Sequence, residues 1–554
     1  MIRTFTTHRV RKQEELTGCL WDFIPCEGEN AGKCYRVSTP SVWETYPNFG
    51  LYRGEGVYKR AFKAGGNLRF ECKGVSHTAT VYLDGKEIAH HYNAYTAFDT
   101  IVRDVPMGEH VLEIKADNRF SEASSLHIPN DYMTYGGVNR PVVLEQLNDM
   151  YIEWIHVTPI KKENVWTAKA EVKVHNLAGK ELTAKINLFI ANKREETKKV
   201  MVKAGYFTIA TFDLTFENVE EWSTDNPVLY EVTGTIELNG LIVDDFIDRF
   251  GFRQITIEGK KILLNNKEVR IKGVCRHEDH PHYGCALPYQ AMCNDLNLIR
   301  DLGANSVRTA HYPNDEIFLD LCDEMGILVW EENHARGLNL EQMKNPNFEW
   351  QAEQVIEEMI RTHYNHPSIY IWGILNECAS EDEYGKECYK KQFDLIRHLD
   401  VSRPCSFASC KVKSDICLGL PDVVSYNIYP LWYHDTPVEE YLDDLYTWIQ
   451  QETEGAGKPF LVTEIGAGGI YGYRSPYKTK WSEEYQETAL DKQLTAVLNY
   501  PDCSGVYIWQ FCDIRISEEC FAGRPRTMNN KGIVDEYRRP KLVYETVKRI
   551  FEEN

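Results

Sequence analysis

The feature that most constrains this fold is a change of rhythm at about residue 263. From there on, short apolar runs alternate with longer amphipathic stretches, and eight such runs occur within 292 residues. Eight βα repeats in that length are typical of a (β/α)8 barrel, which takes about 250 residues. The runs are Val269–Val274, Ala304–Thr309, Gly326–Glu331, Ile369–Leu375, Cys405–Ser409, Val423–Asn427, Phe460–Glu464 and Gly505–Trp509.

A doubly wound parallel sheet is the structural alternative for the same βα rhythm. That fold usually carries a Gly-x-Gly-x-x-Gly turn directly after a strand. The nearest string, Gly466-Ala467-Gly468-Gly469, lacks the third glycine. We therefore expect a barrel over residues 257–554.

Residues before the barrel predict β-structure. Ala79, Val81 and Leu83 alternate with polar residues and lead into Asp84-Gly85, which is a hairpin turn signal. After about residue 150 the alternation continues with a new set of strands. Because 554 residues are too many for one hydrophobic core, we expect two separate β-sandwiches, over residues 1–150 and 151–256.

The net charge of −21 excludes several classes of partner. Nucleic acids and anionic membrane surfaces attract Lys- and Arg-rich proteins, so we expect neither as a partner. Screening limits the reach of the whole-protein field to about 8–10 Å. A small anionic substrate is therefore still allowed, provided that its site supplies a local cation.

The sequence favours a cytoplasmic protein. The residues from Met1 to Phe5 run into a charged segment without an apolar core, so we expect no signal peptide. No apolar run approaches the length of about 20 residues that a membrane helix needs. The 16 cysteines include no Cys-x-x-Cys pair and predict reduced, buried thiols.

Two apolar runs of the predicted barrel end in a glutamate. Glu377 follows Trp372–Asn376, and Glu464 ends the run that begins at Phe460. Either residue alone could be a solvated glutamate that begins a loop. In a barrel, however, active sites lie at the C-terminal ends of the strands. Two carboxylates there would suit a retaining glycosidase, which needs them about 5–5.5 Å apart.

Longer strings in the chain identify a family. These strings and their order along the chain resemble the signatures of glycoside hydrolase family 2. They are Leu16–Phe23, Tyr135–Pro141, Gly251–Arg253, Arg276–Asp279, Asn305–Pro313, Trp372–Glu377 and Val462–Gly466. The resemblance implies a jelly-roll-like, sugar-binding-like β-sandwich, an immunoglobulin-like β-sandwich and a C-terminal (β/α)8 TIM barrel.

The resemblance also implies roles for individual residues. Glu377 would be the general acid/base and Glu464 the nucleophile. Asn376 would bond to the 2-hydroxyl of the sugar, and Tyr429 would restrain the nucleophile. The remaining residues that would line the sugar pocket are His277, His311 and Trp509.

A uronic acid is the expected sugar. The string from Asn529 to Gly532 resembles the Asn-x-Lys-Gly element with which β-glucuronidases hold the C6 carboxylate, so Asn529 and Lys531 would bind it. Charge-assisted bonds of this kind contribute about 1.5–3 kcal/mol. Asp131 and Tyr433 also fall where the glucuronidase pattern places residues that contact substrate. Related enzymes for neutral sugars carry similar strings, which leaves a β-galactosidase as an alternative.

Two arginine positions depart from the glucuronidase pattern. The arginine expected four residues before Asn529 has no direct match, because Arg524 lies five before it and Arg526 three before it. Arg336 stands where glucuronidases more often have a small apolar residue. If its side chain points into the pocket, it could bond to an axial 4-hydroxyl or to the carboxylate and favour β-galacturonides. The other interpretation is an outward-facing loop arginine.

The residues from His277 to His282 could suggest a metal site, but their spacing is not His-Glu-x-x-His, and we expect neither metal nor cofactor.

The expected function is a retaining exo-β-hexuronidase that acts on β-glucuronides and β-galacturonides. Its expected partner is the β-hexuronide substrate, either a small molecule or a glycan. A non-catalytic carbohydrate-binding protein is the alternative from another class, but both carboxylates are present. Family relatives are often homo-oligomers, although one sequence shows no interface.

Overall fold

The computed structural model describes residues 1–163, 165–191, 194–520 and 523–554. Over these ranges the chain forms two β-sandwiches and then a closed barrel of eight parallel strands. The expected fold class is confirmed. The doubly wound alternative is excluded, because the eight strands close into a ring.

The N-terminal sandwich is antiparallel. In chain order its strands are β1 (Lys12–Glu15), β2 (Cys19–Pro25), β3 (Tyr35–Thr39), β4 (Glu55–Cys72), β5 (Thr78–Leu83), β6 (Lys86–Tyr92), β7 (Phe98–Asp117) and β8 (Val142–Leu147). The main path runs β1-β8-β4-β7-β5-β6, and β2 pairs with β3 and β4. Asp84 and Gly85 join β5 to β6 and both have positive φ, as a two-residue type I′ turn requires.

The second sandwich packs two antiparallel sheets. Its strands are β9 (Met150–Lys162), β10 (Val165–Asn176), β11 (Leu182–Ile190), β12 (Arg194–Val202), β13 (Phe207–Phe216), β14 (Tyr230–Leu238) and β15 (Leu241–Phe250). One sheet has the order β13-β10-β9 and the other β12-β11-β14-β15. The alternating residues Ala168, Ala170, Val172 and Val174 of β10 are all buried in the core between them.

A small antiparallel sheet of β16 (Ile255–Glu258), β17 (Lys261–Leu264) and β18 (Lys267–Glu268) precedes the barrel. The barrel strands are β19 (Ile271–Cys275), β20 (Ser306–Thr309), β21 (Leu328–Glu332), β22 (Ile369–Ile374), β23 (Cys405–Ser409), β24 (Val424–Asn427), β25 (Phe460–Ile465) and β26 (Cys503–Ile508). Each overlaps one of the eight predicted apolar runs. Two short strands, β27 (Ile514–Arg515) and β28 (Met528–Asn529), pair after β26.

The helices of the barrel are α1 (Tyr289–Asp301), α2 (Glu316–Met325), α3 (Leu340–Met343), α4 (Phe348–His363), α5 (Glu383–Leu399), α6 (Val438–Glu452), α7 (Glu483–Asn499) and α8 (Val543–Glu553). Local chemistry sets their ends. Asp315 caps the first turn of α2 by accepting from the backbone N–H of Ile317, and Gly326 ends that helix with a φ of 70°.

Barrel strands read as continuous apolar runs because they are buried on both faces. The packing inside is close. A Cβ on Gly273 of β19 would lie 2.4 Å from the ring of Tyr507 on β26, so a side chain there has no room. Because all eight strands run parallel, their C-terminal ends open on one face of the barrel.

The N-terminal sandwich is bonded to that open face. Arg140 donates to the carboxylate of Glu278 at 2.9 Å, and Tyr135 donates to Asp279 at 2.7 Å. All four side chains are buried. These bonds fix the loop that contains Asp131 at the mouth of the barrel.

Among the described residues, no helix has both the length and the apolar character that crossing a membrane requires. The sixteen cysteines are free thiols. The expectation of buried thiols holds for ten of them and is wrong for Cys26, Cys34 and Cys410, which are exposed.

We expect Arg11 to be essential for joining the two sandwiches. Its buried guanidinium bonds to Glu145 at 2.9 Å and to Asp244 at 2.8 Å. Arg11→Met leaves the buried Asp244 without its cation and Glu145 with Arg69 as its remaining guanidinium partner, and it should lower the free energy of unfolding by about 3–5 kcal/mol. Arg36→Met, which removes an exposed pair with Asp22, should change it by less than about 1 kcal/mol. Urea denaturation followed by tryptophan fluorescence measures both, and equal effects would contradict this role.

Candidate active site

Glu464 lies in β25 at the mouth of the barrel, where its carboxylate is buried. Arg308 of β20 donates to Oε1 at 2.9 Å, and the hydroxyl of Tyr429 donates to Oε2 at 2.6 Å. Tyr429 follows β24, so three strand ends meet at this carboxylate. The expected restraint of Glu464 by Tyr429 has the required geometry.

Glu377 follows β22 and is more accessible than Glu464. Asn427, at the end of β24, donates to its Oε1 at 2.9 Å. Leu375 and Glu377 have φ values of 45° and 55°, which non-glycine residues rarely adopt and which cost on the order of 1–2 kcal/mol each. This strained backbone turns the Glu377 side chain away from the direction that a continued strand would give it.

Arg308 connects the groups around the two carboxylates. Its buried guanidinium bonds to both oxygens of Glu332 at 3.0 Å and donates to Oδ1 of Asn376 at 2.7 Å, besides binding Glu464. Neither Arg308 nor Glu332 was assigned a role from the sequence. A buried arginine at the C-terminal end of a barrel strand is the signal that could have indicated it.

The two carboxylates influence each other electrostatically. Burial raises the pKa of Glu464 to about 7; Arg308 and Tyr429 oppose that rise, and the charge of Glu377 adds to it. Without these two donors the carboxyl of Glu464 would hold its proton to a still higher pH.

Several buried polar atoms in this region have no hydrogen-bond partner among the described residues. Such groups cost free energy unless a ligand or water satisfies them. The ring of Trp509 lies between two of the residues, stacking on His311 at 4.9 Å and meeting His277 edge-on at 5.4 Å. Burial lowers the pKa of both histidines well below its usual value, so both rings are neutral. The atoms are Nδ2 of Asn376, Nε2 of His277, Nε2 of His311 and Oδ1 of Asp131.

Asp131 reaches this cluster from the N-terminal sandwich. Arg524 donates to its Oδ2 at 2.8 Å, Asn529 donates to the same oxygen at 3.1 Å, and Arg336 lies 3.3 Å from Oδ1. Burial alone would raise the pKa of Asp131, but Arg336, Arg524 and Lys531 hold it well below its usual range. A residue from another domain thus completes the cluster.

Lys531 is a buried cation without a carboxylate partner among the described residues. Its ammonium donates to the hydroxyl of Tyr433 at 2.8 Å and lies about 5–6 Å from the ring centres of Tyr429, Trp432 and Tyr433. Burial lowers its pKa, and the charge of Arg524 acts in the same direction. The site thus presents an uncompensated positive charge next to Asn529.

The structure decides between the two interpretations of each arginine. Arg336 donates to Asn130 at 2.5 Å and lies 3.6 Å from Glu377, so it faces the cluster and the outward-facing interpretation is wrong. Arg524 is the arginine at Asp131, whereas Arg526 pairs with Glu536 outside the cluster.

The metal-site interpretation of residues 277–282 finds no support in the contacts of its acidic residues. Glu278 accepts from Arg140 and from the backbone of Asp315, while Asp279 accepts from Tyr135. These carboxylates are occupied by protein donors. Elsewhere in the described chain, Asp320, Asp323 and His366 lie close together, but Arg3 neutralises Asp320.

Comparison with known proteins gives consistent matches. The model for the TIM barrel domain of glycosyl hydrolases family 2 matches residues 255–553, and a second family 2 model matches residues 150–253. A solved GH2 β-galacturonidase from Eisenbergiella tayi, bound to galacturonate, is 56% identical with a TM-score of 0.99, covering 100% of this chain and 99% of that one.

Two more distant relatives are named for two different activities. A β-glucuronidase from Streptococcus agalactiae is 26% identical over 517 residues, which are 86% of this chain and 84% of the relative. A β-galactosidase from Thermoanaerobacterium thermosulfurigenes is 30% identical over 499 residues, which are 86% of this chain but 64% of the relative.

We expect removal of Arg308 to make stability pH-dependent. In Arg308→Met, the carboxyls of Glu332 and Glu464 stay buried without their cation, which raises pKa values that burial already raises. The folded state then binds more protons than the unfolded chain, whose glutamates titrate near about 4.3. Stability should be greatest below that pH and fall as the pH rises through 7.

Melting temperatures between pH 4.5 and 8 measure this effect. The matched control is Arg253→Met, which removes a buried guanidinium that donates to the carbonyls of Pro367 and Ile369 instead of to carboxylates. Parallel pH curves for the two variants would contradict the assignment of Arg308 as the counterion.

Proposed function

This chain belongs to glycosyl hydrolase family 2, and on that basis we propose that it is a retaining exo-β-hexuronidase that removes a terminal hexuronic acid from a small molecule or a glycan. The observation that carries the choice of a uronide is the buried ammonium of Lys531, which lacks a carboxylate partner among the described residues. A substrate carboxylate would supply that partner.

The reaction proceeds by double displacement. Glu464 attacks the anomeric carbon while Glu377 protonates the leaving oxygen, and a covalent glycosyl-enzyme forms. Glu377 then takes a proton from water, which attacks the anomeric carbon and releases the sugar with its configuration retained. This cycle starts with Glu464 charged and Glu377 protonated.

Neighbouring groups favour that distribution of charge. Arg308 and Tyr429 both donate to Glu464, which stabilises the charged form that a nucleophile needs. Arg308 and Asn427 occupy Oδ1 of Asn376, which leaves its Nδ2 free to donate to the sugar 2-hydroxyl. That bond strengthens in the transition state.

Asn529 and Lys531 bind the C6 carboxylate. A charge-assisted pair of this kind contributes about 1.5–3 kcal/mol. A neutral sugar would leave Lys531 unpaired in a buried site, and such a site rejects the neutral analogue strongly. Asp131 accepts no hydrogen bond at its Oδ1, which lies 3.3 Å from Arg336, and this oxygen is placed to accept from a sugar hydroxyl.

A β-galacturonidase proper is the second candidate. Glucuronate and galacturonate differ at C4, where the hydroxyl of galacturonate is axial. Arg336 faces the cluster between Asp131 and Glu377, where it could donate to that hydroxyl. The relatives include a β-galacturonidase and a β-glucuronidase, so they support a hexuronide without choosing the epimer.

Two other functions have less support. One relative is named a β-galactosidase, but activity on a neutral sugar would give no role to the buried charge of Lys531. A non-catalytic carbohydrate-binding protein would not need both Glu377 and Glu464.

We also propose a cytoplasmic location and a role in carbohydrate breakdown. Sixteen free thiols in the described chain suit a reducing compartment. Assembly into a homo-oligomer stays a prediction.

We expect the two carboxylates to fail differently when substituted. Glu464→Gln should abolish turnover of every p-nitrophenyl β-hexuronide and leave binding of the free hexuronic acid largely intact, because the nucleophile is lost. Glu377→Gln should still form the glycosyl-enzyme from a p-nitrophenyl substrate, because p-nitrophenolate leaves without protonation. The variant should then hydrolyse the glycosyl-enzyme slowly. Azide needs no general base and should restore turnover of Glu377→Gln. Full activity of Glu464→Gln would refute its role.

We expect kcat/KM for p-nitrophenyl β-glucuronide or β-galacturonide to exceed that for the β-galactoside, and Lys531→Ala to remove that preference. A lost charge-assisted bond corresponds to at least about tenfold. Arg336→Ala should lower kcat/KM for the galacturonide more than kcat/KM for the glucuronide. The control is Lys458→Ala at the other end of the barrel, where Lys458 precedes β25 and its ammonium donates to the carbonyl oxygens of Gly419 and Pro421 before β24. If kcat/KM is highest for the galactoside and Lys531→Ala leaves it unchanged, the substrate assignment is wrong.

A further inference from the structure

Three aromatic rings surround the ammonium of Lys531. The distances from Nζ to the ring centres are 5.1 Å for Tyr429, 5.7 Å for Trp432 and 5.0 Å for Tyr433. The two tyrosines also bond through their hydroxyls, Tyr429 to Glu464 and Tyr433 to Lys531. Trp432 makes neither bond, and its Nε1 has no partner among the described residues.

Packing and a second cation fix the ring of Trp432, because the ammonium of Lys480 also lies 5.8 Å from its centre. It is buried and meets Trp481 edge-on, with ring centres 5.0 Å apart and planes at 89°. Gly468 leaves room for both indoles, because a Cβ there would lie 2.8 Å from Cη2 of Trp432 and 2.6 Å from Trp481. Gly468 and Trp481 follow β25, the strand that carries Glu464. The loop after the nucleophile strand therefore holds the ring in place.

A buried ammonium without a carboxylate is costly, and ring faces reduce that cost. The face of an indole carries negative potential, and its attraction for a cation grows when the cation is desolvated. Burial is the largest influence on the pKa of Lys531 and lowers it; Tyr433 and Asp131 raise that pKa, while Arg524 lowers it. Tryptophan is the ring type that interacts most strongly with cations.

We propose that Trp432 is a specificity-determining positioning residue whose ring face keeps the Lys531 ammonium charged and directed at the substrate carboxylate. The proposal rests on the proposed function, because it requires that Lys531 bind a hexuronate. It assigns to Trp432 a contribution to uronide binding without any contact with the reacting atoms. Substrates that lack a carboxylate gain nothing from it.

The test compares Trp432→Leu and Trp432→Phe with the wild-type enzyme on a p-nitrophenyl β-hexuronide and the matching neutral β-hexoside, from pH 6 to 10. For Trp432→Leu we expect kcat/KM on the hexuronide to fall about tenfold, mainly through KM, and the ratio of hexuronide to hexoside to fall with it. The basic limb of that ratio, plotted against pH, should move to lower pH by about one unit, because the ammonium loses its proton more easily. The catalytic carboxyls affect both substrates alike and cancel in the ratio. Trp432→Phe should keep most of the ratio.

A second variant moves the indole without replacing it. Gly468→Ala crowds Trp432 and Trp481 and should lower the same ratio and shift the same limb. The matched control is Gly108→Ala, since a Cβ at Gly108 has no neighbour within 4 Å. Calorimetric binding of the free hexuronic acid gives a second readout if the neutral hexoside is turned over too slowly to measure.

The outcomes separate this proposal from the one that it depends on. Equal losses on hexuronide and hexoside, or an unmoved basic limb, would show that Trp432 only supports the fold. If Trp432→Leu does not fold, Gly468→Ala decides, and a wild-type ratio in that variant overturns the proposal. A wild-type enzyme without any preference for the hexuronide would instead refute the proposed function.

Discussion

The guanidinium of Arg308 is the group on which the rest of the site depends. It is buried at the C-terminal end of β20 and bonds to Glu332, Glu464 and Asn376, which come from three other strands or strand ends. Without it, two buried carboxylates would face each other unpaired, at a cost of several kcal/mol. One cation thus sets the charge state of Glu464 and the direction in which Asn376 can donate.

A second constraint is the division of the site between domains. The barrel supplies Glu377, Glu464 and Lys531. Asp131 comes from the N-terminal sandwich and lies among Arg336, Arg524 and Asn529 of the barrel. Buried bonds such as that between Arg140 and Glu278 fix the sandwich against the barrel. Under the proposed function, the shape of the sugar site is therefore determined partly by a domain that takes no part in the bond cleavage.

Much of this could be predicted from the sequence because the signals were local. Apolar runs of strand length predicted the eight barrel strands, and the glutamates at two of their ends predicted where chemistry would lie. The role of Arg308 could not be predicted in the same way, because it depends on which strand ends face each other across the barrel. The direction of Arg336 also needed coordinates, since a loop arginine can point either way with the same sequence.

The unpaired charge of Lys531 has a consequence for the end of the catalytic cycle. Hydrolysis changes the anomeric carbon but leaves the C6 carboxylate as it was, so the ammonium holds the released sugar as firmly as the substrate. This interaction therefore tightens both bound states without lowering the barrier between them. Under the proposed function, the group that selects the substrate also slows departure of the product, and accumulated uronic acid becomes the enzyme's own inhibitor.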